Sequence, residues 1–389
     1  MTPAGIGRDD FWKGILEPVS RVRPYGKLGD QYGPLVAAHM DTFRVGSYVD
    51  PSLLPKGAAR HTQFAVAGAM LAIQDAGVSL EEFRRVHASI FVGTALMDFG
   101  SINHSIESVS KHGAHGTLPR TIYSISTAGI PGAINRVLGT AARTMVMQSS
   151  CCSGLDAIGY AARMVAEGEA EIALCGGTEA PLHRFPLLEI RAAGLTPETD
   201  AMPERLDRPF DLWRTTGVVS EGACMIVLEP ESSPRKGYSF ISGYAFGNDE
   251  PDKLCSGLIP ANRLALAEAG IRPYEVDSIN AWGPGHRAID AAEASALIAV
   301  FQSALPDIPA VSIKGSIGNP LGGAPAIQVA AAALAQRHGI IPPTVNWLYP
   351  DPACPLNLSA SSRALEHSLT LINAHGLAGV NSSLILEKC

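Results

Sequence analysis

Two adjacent cysteines, Cys151 and Cys152, stand where a β-branched and Met-rich run, Thr144-Met145-Val146-Met147, gives way to the small-residue segment QSSCCSGLDAIGYA over 148–161. Serines flank the pair and Ser-Gly follows, so an extended segment must turn sharply before helical periodicity begins at Leu155, Ile158 and Ala162. A thiol at a helix N-terminus meets unpaired N–H groups and the positive end of the helix dipole, and both favour thiolate. A buried pair of small apolar residues is the plainer role for cysteine. The strand-turn-helix setting, shared with nucleophile elbows, points instead to a reactive thiol. The other cysteines have no metal-ligand spacing with nearby histidines, so no metal is expected.

Around this segment the chain reads as alternating α/β. Apolar periodicity from Thr62 predicts a long helix ending at Gly77, and 88–94 is a short apolar run of the buried-strand type. Residues 95–130, rich in Ser, His and Gly, read as an excursion able to supply interface or pocket wall. A helix over 131–138, strands at 144–147 and 171–175 and the helix between those strands make a parallel β-α-β unit. Strands follow at 223–229 and 239–244. The rhythm then begins again, with a helix at 264–269, a strand at 276–282, a helix at 288–300, a strand at 311–314, a helix at 324–336, and closing strands at 368–373 and 380–387. This implies a duplicated layout, halves 1–235 and 236–389, the first carrying the cysteine and the second the loops at Trp282 and Asn319.

Composition narrows the classes. A net charge of -7 offers no basic field to nucleic acid or anionic lipid. No apolar run reaches the roughly 18 residues of a membrane span. The start, MTPAGIGRDD, lacks a basic and apolar leader, and seven unpaired-looking cysteines suit a reduced cytoplasmic protein.

The order of motifs resembles the β-ketoacyl synthases of the thiolase-like superfamily over nearly the whole chain. SSCCSGLDAIGYA is similar to that family's nucleophile segment, TACASSLHAIG, and puts Cys151 at the acyl-accepting position and Cys152 at a packing one. CGGTEA (175–180), RPFD (208–211), SEGACMIVLE (220–229), PPTVN (342–346) and HGLAGVNSSLIL (375–386) follow in the family's order. The resemblance implies a thiolase-like five-layered α-β-α-β-α fold of two similar halves. It also implies no bound cofactor, a phosphopantetheine-linked substrate on acyl carrier protein or CoA, and a homodimer or a heterodimer with a ketosynthase paralogue.

Where the family has two histidines, this chain departs. Its EAHGTGT reads NAWGPGH, placing Trp282 at the first; its KSNIGH reads Lys314-Gly315-Ser316-Ile317-Gly318-Asn319, placing Asn319 at the second. Lys314, Asp290 and Glu293 remain at matching positions, with Lys314 and Glu293 expected as a buried ion pair. The pantetheine-facing threonines become Pro284 and His286. The gating and oxyanion loop reads Gly376-Leu377-Ala378-Gly379, and Gly217 replaces a phenylalanine, which should widen the pocket mouth. His286 and His375 are the candidate substitutes or supports. Removing an oxyanion donor costs about a hundred- to a thousandfold in rate. The expectation is therefore a divergent ketosynthase-like acyltransferase of fatty-acid or polyketide-type biosynthesis. It would accept an acyl group on Cys151 and pass it on, with malonyl decarboxylation impaired. The alternative is a non-catalytic partner subunit, akin to a chain-length factor, of a heterodimeric ketosynthase. The family's opening strand is matched only at its end by Met1-Thr2-Pro3-Ala4-Gly5, which reads as a late start of the sequence.

Overall fold

The longer apolar runs pair into two large sheets, beside two small two-stranded ribbons, in a computed structural model that describes every residue except Arg120. The first contains β1 (Ala88–Gly93), β2 (Arg143–Met147), β3 (Ile172–Glu179) and β4 (Gly222–Leu228), in the order β2-β1-β3-β4. β1, β2 and β3 are parallel and β4 is antiparallel to β3. The second contains β5 (Ser239–Asn248), β6 (Ser278–Asn280), β7 (Ala310–Val311), β8 (Leu369–Gly376) and β9 (Val380–Lys388), in the order β5-β9-β8-β6-β7. The parallel core and antiparallel flank of the first sheet recur in it.

Helices fill the remaining layers of a five-layered α-β-α-β-α fold. Outside the first sheet lie α1 (Arg60–Ala76) and the helix Gly129–Leu138. Between the sheets lie α2 (Ser153–Ala166) and, later in the chain, α4 (Ala324–His338). Outside the second sheet lie Leu258–Glu268 and α3 (Arg287–Phe301). The small residues of α2 and α4 follow from this sandwiching: a Cβ on Gly154 would lie 2.7 Å from the Gly322 carbonyl oxygen, and one on Gly159 only 2.3 Å from the Tyr244 ring. Larger side chains would push the sheets apart. Phe91, Leu155, Ile158, Ile372 and Leu384 form the central core, in which Cys151 and Trp282 also lie.

Several boundaries differ from the sequence reading, for local reasons. The strand expected to reach Trp282 stops at Asn280, because the Trp282 and Gly283 N–H groups turn to a side chain instead of a ladder. Lys314 is not on a strand but opens a one-turn helix, Lys314–Ile317. The excursion contains two helices, Phe99–His112 and Thr121–Ile125; none of the first is buried. One helical stretch, Arg287–Asp307, does reach the length and mean hydropathy, 1.3, of a membrane span. It is a layer helix here, with Ala294, Leu297 and Val300 packed in the outer core and Asp290 and Glu293 buried. Beside β4, Met1 accepts a hydrogen bond from the Ala223 N–H, 2.9 Å.

Candidate active site

After β2 the backbone passes through Ser150 with φ 54, and Ser150–Cys152 form one tight turn before α2. A positive φ at a non-glycine residue is a strained conformation held by its surroundings. The Ser153 hydroxyl does the holding, donating to the Ser150 and Thr94 carbonyls, the latter at 3.2 Å. Cys151 is 7% exposed, with the Ser150 hydroxyl 4.0 Å from its sulfur. Burial pushes the thiol up to about 11, opposed by Ser150, Lys314 and the Leu377 backbone N–H. The helix terminus was expected to favour thiolate; desolvation outweighs it, because α2 begins only at Ser153 and solvent is largely excluded from the sulfur. Cys152 is fully buried, its sulfur toward the Val380 carbonyl at 3.4 Å, and faces the core.

The glycine loop closes over the elbow. A Cβ on Gly376 would stand 3.0 Å from the Cys151 backbone nitrogen, so only glycine allows β8 to come this near. Ala378 and Gly379 continue with φ 66 and 77, while the Leu377 side chain is 55% exposed. His375 lies behind the loop, its Nδ1 2.9 Å from Asn381 Oδ1; the Asn381 amide donates to the Gly379 carbonyl and to Asp249, 2.9 and 2.8 Å. It braces the turn.

Trp282 and Lys314 form one unit. Lys314 Nζ lies 3.7 Å from the Trp282 ring centroid and donates to the Trp282 carbonyl and to Gln328 Oε1, the latter at 3.1 Å. Glu293 accepts the Trp282 and Gly283 N–H groups, each at 2.8 Å. The expected Lys314–Glu293 ion pair is replaced by this arrangement, in which the Trp282 peptide lies between the two charges. Burial drives both groups toward neutrality: Lys314 is pushed down to about 7 and Glu293 is raised. Asn319 is tied by its backbone to Val218 and Ser220, 2.7 and 3.0 Å, and its side-chain Oδ1 is buried without a hydrogen-bond partner among the described residues.

Two expectations about the rim change. The space at Gly217 is not open: a Cβ there would meet the Pro284 carbonyl oxygen at 2.2 Å, because the Trp282–Gly285 loop fills the room a side chain would take. His286 is the N-cap of α3, its Nδ1 accepting from Ala288 and Ile289 N–H at 3.2 and 3.4 Å. Burial and Arg214 lower its pKa.

Three site residues escaped sequence reasoning. Glu179, at the end of β3, accepts the Ala95 and Gly322 N–H groups at 2.7 and 3.3 Å, and burial pushes it up to about 8. Asp156, on the core face of α2, accepts the Ser149, Ser382 and Tyr244 hydroxyls and is raised by burial. Gln328 bridges Lys314 to the Asn280, Ala281 and Asn373 carbonyls. The available signal was a polar residue inside an otherwise apolar helix or strand.

Family models for the N-terminal and C-terminal domains of beta-ketoacyl synthase match residues 1–233 and 238–347. The chain is 28% identical over 408 residues to the tetracenomycin polyketide synthase ketoacyl synthase alpha subunit of Streptomyces glaucescens, covering 99% of this chain and 94% of that one. It is 29% identical over 410 residues to 3-oxoacyl-[acyl-carrier-protein] synthase 2 of Coxiella burnetii, covering 100% and 96%. Among solved structures, the ishigamide ketosynthase/chain length factor superposes with a TM-score of 0.92 at 28% identity, covering 100% of this chain and 96% of that one.

Proposed function

The chain belongs to the beta-ketoacyl synthase family, and from that premise we propose that it is a ketosynthase-like acyltransferase of polyketide or fatty-acid-type biosynthesis. The Cys151 sulfur attacks a carrier-bound or CoA thioester, the carbon–sulfur bond to the pantetheine breaks, and the departing sulfur takes the proton that Cys151 gives up. The acyl group then passes to an acceptor nucleophile and the thiol is restored. Splitting the transfer into two thioester steps lowers each barrier. The glycine loop, whose Gly376 packs against the Cys151 backbone, carries the Leu377 N–H that would stabilise the developing oxyanion.

One observation carries this reading: a strained elbow presents Cys151 under the glycine loop. Beside it, the wall is built from the Trp282 ring stacked on Lys314 rather than from imidazoles. Indole has no proton to exchange, so malonyl decarboxylation is expected to be slow. The name of one relative includes acyl carrier protein, which supports a carrier-bound donor. A partner chain, a second copy or a ketosynthase paralogue, would add at the free edge of β2, where Met145 is 49% exposed. Light scattering that finds only monomer, alone and with the paralogue, would reject that assembly.

Intact mass after incubation with acyl-carrier thioesters tests the transfer. A single acyl adduct that disappears in Cys151→Ala is expected; no adduct, or one that survives the substitution, refutes it. A second reading, a non-catalytic partner subunit, draws on the raised Cys151 thiol. Turnover of the two-chain complex that is unchanged by Cys151→Ala would decide for it.

A further inference from the structure

Three titratable side chains that the transfer chemistry does not use converge at the edge of the first sheet from which Cys151 emerges. β1, β2 and β3 are parallel neighbours. The loops leaving their C-terminal ends carry Asp98, Cys151 and His183 respectively. This is the edge at which open α/β sheets bind ligands. The Ser153 hydroxyl, 3.2 Å from the Thr94 carbonyl, ties the elbow to the loop that reaches Asp98. The His183 ring packs over Gly100 beside Asp98: a Cβ placed on Gly100 would lie 2.6 Å from His183 Cε1, 3.2 Å from its Nε2 and 3.2 Å from Asp98 Oδ1, so the absent side chain is what lets the imidazole and the carboxylate meet. His61, 4% exposed on α1, is held to the end of β3 by the Thr178 hydroxyl, which donates to its carbonyl at 2.7 Å.

The cluster is incomplete on one side. Asp98 is 6% exposed; its Oδ1 accepts the Ser101 N–H at 3.1 Å, while Oδ2 is buried with no partner among the described residues. A buried polar atom left unpaired is costly, and protein interiors rarely leave one so. Burial pushes His61 down to about 4 and lowers His183 as well. Both imidazoles are then neutral near pH 7, each with one donor and one acceptor nitrogen. A carboxylate oxygen only accepts, so the group that satisfies Oδ2 must donate, and the imidazoles can serve its lone pairs. A hydroxyl does both; a methylene or a ketone does not.

We propose that Asp98, His183 and His61 form a polar subsite, at the strand-end edge from which Cys151 emerges, that receives a hydroxyl carried by the acyl chain. This rests on the reading of Cys151 as the acyl acceptor and extends it to a substrate class, hydroxylated rather than fully saturated acyl thioesters.

The test uses the full chain with Cys151→Ala, so that preference is read as binding and does not depend on transfer. Calorimetric affinities are measured for pantetheine thioesters of one chain length that are saturated, hydroxylated at successive carbons, or ketonic at those carbons. One hydroxylated isomer should bind about tenfold more tightly than the saturated chain, the worth of one buried hydrogen bond. Adding Asp98→Asn keeps the oxygen that accepts from Ser101 and turns the orphan acceptor into a donor, so the preference should move to the matching ketone. Adding His183→Phe should abolish it. Equal affinities across the set, no binding of any member, or an unchanged hydroxyl preference in Asp98→Asn overturns the proposal. A melting curve identifies a misfolded Asp98→Asn protein, in which case His183→Phe decides. Hydroxyl preference without any Cys151 adduct in the wild-type protein would refute acyl transfer alone; an adduct without preference would refute the subsite alone.

Discussion

Glu179→Gln is expected to flatten the pH dependence of stability. Glu179 is buried at the end of β3 among N–H groups, and burial raises its carboxyl from 4.5 to about 8. A group raised on folding contributes stability that is fully present below the unfolded value and is lost as pH climbs to the folded one. The window is therefore pH 4.5 to about 8. The difference of about 3.5 units, at about 1.4 kcal/mol each, amounts to ~5 kcal/mol across the window. Glutamine cannot ionise, and its carbonyl can still accept from Ala95 and Gly322 once the amide turns its NH2 toward the Thr94 hydroxyl, which now donates to Glu179 at 3.4 Å. With an unfolding entropy of about 2 cal/mol/K per residue, a chain of 389 residues has ~0.8 kcal/mol/K. The ~5 kcal/mol then corresponds to a relative gain of ~6 °C in Tm for Glu179→Gln between pH 4.5 and 8. Calorimetric melts of both proteins across that range supply the difference, and groups common to the two cancel. Parallel Tm curves would show that water reaches Glu179 or that it stays ionised in the fold, and the reasoning would fail.

Gly217→Ala places a Cβ 2.2 Å from the Pro284 carbonyl oxygen, so the Trp282 loop must move; a loss of about 1–3 kcal/mol, seen as a lower urea midpoint, is expected, and an unchanged midpoint would show the loop to be yielding. His286→Ala removes the N-cap of α3 and should cost about 1 kcal/mol in the same assay while leaving the yield of the Cys151 acyl adduct unchanged. Loss of the adduct at preserved stability would instead make His286 part of the acyl-transfer chemistry.

The sequence alone determined the order of elements and the place of the strand-turn-helix elbow that carries Cys151. Both are written in local signals: the period of apolar residues, the Gly77 stop and the turn between Met147 and Leu155. The duplicated layout was legible for the same reason, since each half repeats such signals. Tertiary structure decided how the site is set. That Lys314 stacks on Trp282 instead of pairing with Glu293, that Pro284 fills the room at Gly217, and that His286 caps a helix all depend on segments brought together across the fold. The state of the Cys151 thiol was decided there too. A helix terminus is visible in sequence, but the desolvation that outweighs it comes from β8, the glycine loop and the central helices closing around the sulfur. Glu179, Asp98 and His183 were not singled out as site residues for a related reason: only the parallel alignment of β1, β2 and β3 sets the segments that carry them at the edge from which Cys151 emerges.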